Sequence, residues 1–160
     1  MTGTKLKAAV AAVLDRVRFA GAVAAPPVAR IALALPFLRS GLTRWDGFLT
    51  LSPATTFLFE EQFQLHVLGA AYGLPWPSAL GYVVGLAEIV LPVLLIVGLA
   101  TRLSALGLLL MTGVIQLVFP EGWVNFHLYW AALALSVMAL GPGRLGLDHF
   151  IGVDQTRAAR

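Results

Sequence analysis

Residues 81–102 read GYVVGLAEIVLPVLLIVGLATR, an apolar run with a single carboxylate, Glu88, near its middle. A run of this kind decides the solvent before it decides the fold. About 20 predominantly apolar residues are what a helix needs to cross the ~30 Å hydrocarbon layer of a bilayer. The rest of the chain repeats the pattern, and four spans are expected at about 28–45, 79–100, 103–119 and 124–140. Pro120 and Gly122 close the third, and GPG at 141–143 ends the fourth. Only 12% of the 160 residues are charged, against about 25% in a soluble domain, too few to cover a water-facing surface. The expected class is therefore all-α, an integral membrane four-helix bundle.

Composition also removes several kinds of chemistry. The chain has no cysteine, so disulfides, thiol redox catalysis and thiolate metal sites on it are excluded. No basic stripe interleaved with aromatics suggests nucleic acid. There is no phosphate-cradling glycine loop, nucleophile elbow or dinucleotide fingerprint.

Two segments outside the spans carry their own patterns. Residues 1–25 read as an amphipathic helix lying in the membrane interface. Leu6, Val10, Val13, Leu14, Val17 and Gly21 share one face, and Lys5, Lys7, Asp15, Arg16 and Arg18 the other. The charges at 15, 16 and 18 argue against a signal peptide, because they interrupt the apolar core it needs. Pro26-Pro27 is expected to end this helix, with the four-helix domain following over 26–152 and a short tail over 153–160. In the long connection 46–78, Ser52-Pro53 reads as a helix start, and an interfacial helix is expected from there to near Gly69.

The basic residues give an orientation. Lys5, Lys7, Arg16, Arg18, Arg30, Arg102, Arg144, Arg157 and Arg160 fall on one side of four spans, and Arg44 with Glu60, Glu61 and Glu121 on the other. Both termini and the tail are accordingly expected in the cytoplasm, with residues 46–78 extracytoplasmic and the chain in a bacterial-type inner membrane.

Glu88 shares a helix face with Gly81, Gly85 and Pro92. The small-xxx-small pair Gly81/Gly85 is expected to admit a neighbouring helix, so the carboxylate faces the bundle. Pro92 leaves the Glu88 carbonyl without its helical donor. An ionised group at this depth pairs, protonates or serves a function, and Arg39 is the expected partner, as the only other charge well inside a span. Gln116, Asn125 and His127 gather at the same level, approached by Glu60, Glu61 and His66. Two readings stay open: a buried Glu88–Arg39 pair that fixes helix register, or a ligand or proton site built from Arg39, Glu88, Gln116 and His127. A metal held by His66 and His127, with Met111 or Met138, is a further alternative, although the histidines have no fixed ligand spacing.

The order RIALALPFLRSGLTRWDGF, LFEEQFQLH, LAEIVLPVLLIVGLATRLSALGLLLMT, FPEGWVNFHLYW and GPGRLGLDHFIG resembles the DoxX family of small four-helix membrane proteins, over about residues 28–152. The most specific pieces are the glutamate followed by proline and a TR turn, and the GPG plus LD tail. The resemblance implies a compact membrane bundle and an association with quinone-linked redox chemistry, since relatives serve as subunits of a thiosulfate:quinone oxidoreductase. Others are tied to oxidative-stress complexes or to machinery for metal-binding peptides. By position it marks Arg39, Glu88, Arg102 and Asp148. A persulfide on this chain is excluded by the absence of cysteine. The expected function is a subunit or accessory of a quinone-linked redox complex, with quinone as its small molecule and a protein partner or second copy beside it in the bilayer. A non-catalytic scaffold or assembly factor, or a small carrier for a metal or metallopeptide, are the alternatives.

Overall fold

The computed structural model describes residues 2–152; the tail expected at 153–160 lies outside them. Helix α1 runs over Thr2–Leu42, followed by a hairpin of β1 (Trp45–Gly47) and β2 (Thr50–Leu51). Helix α2 (Pro53–Phe57) passes into a π turn at Leu58–Gln62. A second hairpin pairs β3 (Gln64–Val67) with β4 (Ala70–Gly73). Helix α3 (Pro77–Val97), α4 (Thr101–Val118) and α5 (Leu128–Leu140) complete the bundle, with a π turn at Trp123–His127 before α5 and a short α6 (Leu147–Phe150) after it. Among the described residues, four helical segments are long and apolar enough to cross a membrane: Lys5–Leu42, Pro77–Val97, Thr101–Val118 and Pro120–Leu140.

The core lies where one stripe of each long helix meets the others. Leu33, Ala34 and Phe37 of α1 pack with Leu95 of α3, Ala105 and Leu108 of α4, and Ala134 and Val137 of α5. On α3 the buried stripe is Gly81, Gly85, Glu88, Pro92 and Leu95, alternating four and three residues as a helix seam requires. Glu88 is therefore a core residue, 2% exposed.

Two expectations are corrected. Pro26-Pro27 does not end the first helix, which continues as α1 from the amphipathic segment into the first span. Proline's φ of about −65° is a helical value, so the pair removes hydrogen bonds without forcing a change of direction. Pro26 is also buried, its ring against Gly143 in the turn after α5. At 1.5 Å per residue α1 is about 60 Å long, twice the hydrocarbon thickness, and residues 5–22 of it are exposed on every face. The interfacial helix stops at Gln62 rather than near Gly69. Gln64-Leu65-His66-Val67 alternates with period two and pairs with Ala70–Gly73, and Leu68 and Gly69 turn the hairpin with φ of +51° and +83°.

At the α3–α4 turn, polar side chains from distant segments finish the helix ends. Asp148 accepts the Ala100 and Thr101 amides on its two oxygens, each at 2.8 Å, capping the first turn of α4. Ala100 sits in the left-handed region (φ +47°), which these bonds help to hold. Arg30, 2% exposed, donates from Nη1 to the Leu95 and Ile96 carbonyls at the end of α3. Each charge opposes the partial charge of the helix end it meets. Replacing Asp148 with alanine should lower stability by about 2–3 kcal/mol, since buried hydrogen bonds to a charged group are lost. Thermal unfolding of the detergent-solubilised protein reads this directly, and an unchanged midpoint would show that the clamp carries no weight.

Candidate functional site

The end of the bundle that carries the hairpins encloses a cavity of about 880 Å³. Its walls are mostly apolar, and most of its polar side chains gather at one end, with Ser40 in the last turn of α1 and Thr43 and Arg44 after it meeting Glu88 of α3. His127 and Trp130 of the fourth span close another side.

Glu88 is paired, but with Arg44 and not with Arg39. The Arg44 guanidinium grips the carboxylate in a fork, Nε donating to Oε2 and Nη2 donating to Oε1 at 2.8 Å. Ser40 Oγ also donates to Oε1, at 3.3 Å. The reason Arg39 fails is helical phase. The inner stripe of α1 runs through Arg30, Ala34, Phe37 and Gly41, and Arg39 stands two residues, about 200°, from Gly41. It is exposed on the outer surface and does not line the cavity. Arg44 lies beyond the helix, where the turn that starts at Gly41 folds it back over α3.

That turn depends on a close approach. A Cβ on Gly41 would lie 2.9 Å from the backbone and Cβ of Glu88, so α1 and α3 touch at the level of the carboxylate only because residue 41 has no side chain. The glycines of α3 serve a different neighbour from the expected helix. Gly81 faces Leu51 and Phe59, and Gly85 faces the Trp45 ring and the Arg44 side chain. They make room for the first hairpin and the residues flanking it.

Most polar groups here are already bonded within the chain. Thr55 Oγ1 donates to the Arg44 carbonyl at 3.1 Å, Ser52 Oγ caps α2, and Thr43 Oγ1 donates to the Ser40 carbonyl. Arg44 stacks over Phe59, 5.2 Å from the ring centre. Its Nη1 makes no hydrogen bond among the described residues. Across the cavity, Gln116 Nε2 donates to the Pro120 carbonyl at 2.9 Å, which turns Gln116 Oε1 towards His127. His127 Nδ1–H then donates to that oxygen at 2.6 Å. A neutral ring in this tautomer keeps a lone pair on Nε2. The ring is buried, against Gly122 on one side and Trp130 on another, with ring centres 5.3 Å apart.

The other expected residues are placed elsewhere. His66 is exposed on β3, its Nδ1 3.3 Å from the Leu117 carbonyl, and does not line the cavity. Among the described residues no three His, Asp or Glu side chains group as metal ligands. Glu60 accepts from Ser78, while Glu61 and Asn125 are exposed. Arg102 donates to the Met138 carbonyl and Asp148 caps α4, so both serve the opposite end of the bundle. Sequence reading passed over Arg44 because it stands at the outer end of the expected first span and not well inside it. Its one signal was adjacency to Trp45 and Asp46 at a turn, which also fits an ordinary interface anchor.

Compared with known families, the chain matches the DoxX model over residues 25–121, which take in Arg44, Glu88 and Gln116 but stop short of His127. No match was found among the curated proteins or among the solved structures.

Removing one partner of a buried ion pair should cost about 3–5 kcal/mol, whereas replacing both with apolar residues of similar volume should be nearly neutral. Arg44→Met and Glu88→Leu alone should therefore each lower the unfolding midpoint strongly, and the double variant should recover most of the loss. Arg39→Ala should stay within about 0.5 kcal/mol of the parent, as surface changes do. Equal effects of the Arg39 and Arg44 changes would contradict the pairing.

Proposed function

The chain belongs to the DoxX family of integral membrane proteins, and from that premise we propose that it binds quinone as a subunit or accessory of a quinone-linked redox complex. The observation that carries this reading is the pairing of an apolar cavity of about 880 Å³ with a small polar end. Ligand sites are characteristically of this build, with a few fixed polar groups in an apolar wall.

A quinone head offers two carbonyl acceptors, which become hydroxyls on reduction. Arg44 Nη1 supplies donors for one carbonyl, and the two bonds to Glu88 fix the plane of the guanidinium. His127 Nε2 supplies an acceptor for the hydroxyl of the reduced form, and the Gln116 bond fixes its tautomer. Arg44 and His127 are thus the contact residues, and Glu88 and Gln116 the positioning residues; Arg39 leaves the set. Reduction of a quinone takes up two electrons and two protons. No cysteine is present to carry electrons on this chain, and they come from a partner subunit or from a soluble donor. The distribution of Lys and Arg supports both termini in the cytoplasm and the hairpins on the outer side of a bacterial-type inner membrane.

A scaffold is the second reading, and one observation favours it: both oxygens of Glu88 are already engaged, as a purely structural lock would have them.

Quinone titrated into the purified chain in nanodiscs, read by quenching of Trp130, separates the two. Arg44→Lys keeps a cation against Glu88 but removes the fork, and His127→Ala removes the acceptor. Arg44→Lys should weaken quinone binding, and His127→Ala the binding of the reduced quinol, by about ten- to a hundredfold, the worth of a hydrogen bond involving a charged or buried polar group, with helicity unchanged. Absence of saturable quenching in the parent protein would leave the scaffold.

A further inference from the structure

The cavity wall is not uniform, and where it is thin says how a ligand reaches it. Six residues form the seam between two spans: Val84, Ala87 and Leu91 of α3, and Gly107, Leu110 and Val114 of α4. At its lower end the seam is shut. Leu91 fills the space beside Gly107 so closely that a Cβ there would lie 2.8 Å from Leu91 Cδ1. Above that level the lining residues are also surface residues: Leu110 is 65% exposed and Val114 52% exposed while facing the cavity. Both belong to the middle and upper part of a membrane span, so the medium they meet outside is lipid.

The end towards the hairpins is built differently. Phe59, Phe63 and Phe119 all line the cavity and interlock edge to face, with ring centres 5.1 Å and 5.4 Å apart. These rings roof the cavity beneath the π turn after α2. On that side the exposed lining residues are Thr43 and Ala54, which stand beside Arg44 and α2, and Phe119 of the roof itself, which is 40% exposed. The cavity thus has an apolar slot facing the bilayer and a polar end held by the ion pair.

Resting on the quinone reading above, we infer that the site is loaded sideways from the bilayer through the α3–α4 seam, and that its ligand is a quinone with a long prenyl tail. The head sits against Arg44 and His127. The tail lies along α4 from Val118 towards Gly107, a slot about 16 Å long at 1.5 Å per residue, and leaves into lipid between α3 and α4 at the level of Leu110 and Val114. The Leu91–Gly107 contact sets the depth the tail can reach. A tail is held in the slot by van der Waals contact, since lipid is as apolar as the slot and burial alone gives no driving force.

The test compares a tailless quinone with a prenylated quinone of the same head group. Both are titrated against the parent chain and Val114→Trp in nanodiscs, with concentration expressed per lipid to remove the effect of partitioning. Val114 is half exposed and outside the polar end, so the substitution narrows the slot and leaves the head site intact. Leu110→Trp, at an exposed position one turn away, serves as the second variant should the first fail to fold. The expected result is that both quinones bind the parent, that the slot variant binds the prenylated quinone at least tenfold more weakly, and that it binds the tailless one unchanged. Equal binding of the prenylated quinone by parent and variant would overturn lateral loading and leave the quinone reading standing. If neither quinone binds the parent, the quinone reading falls and this inference with it.

Discussion

The rest of the structure is arranged around one unfavourable fact, a carboxylate in the core of a membrane bundle. Charged groups at such depth are tolerated when paired and hydrogen bonded. Glu88 meets that requirement through a forked bond with Arg44 and a hydroxyl from Ser40. Each partner then constrains its neighbours. The α1 backbone comes close enough only because residue 41 is glycine. The Arg44 carbonyl accepts the Ser52 amide and the Thr55 hydroxyl, which ties the first hairpin and α2 to the same point. A single ion pair thereby holds the end of α1, the hairpin, the start of α2 and the middle of α3 together, and the space left between them is the cavity.

The opposite end solves a different problem by similar means. Helix ends leave amides and carbonyls without partners, and in a bundle of this kind little water reaches them. Arg30 and Asp148 fill those places with opposite charges, one on the carbonyls of α3 and one on the amides of α4. Polar contacts thus fix the turn between α3 and α4, and a further one holds α3 at its middle, through Glu88.

Much of this was legible in the sequence, for identifiable reasons. The four spans follow from apolar runs against a fixed bilayer thickness, and the burial of Glu88 follows from its phase with Gly81, Gly85 and Pro92. The partner did not follow. A charge inside a span drew attention to Arg39, but pairing is decided by phase about the helix and by the path of the following turn, and Arg44 owes its place to that turn. The continuous α1 was hidden because Pro-Pro reads as a stop, while the contact that holds Pro26, the turn at Gly143, is more than a hundred residues away. The second hairpin was hidden because QLHV is too short for its alternation to outweigh the helical reading of the segment before it. His127 was marked as a polar residue near a span end; its bond to Gln116 required knowing how the chain turns after Pro120.

The proposed quinone site lies at one location, the polar end of the cavity. Photocrosslinking with an azido-quinone in nanodiscs, followed by mass spectrometry of the labelled peptides, tests it most directly. The expected result is label on residues around that end, Phe37, Met111 or Trp130, competed away by unmodified quinone. Label confined to outward-facing residues such as Val90 or Leu103, or label that excess quinone does not displace, would contradict it.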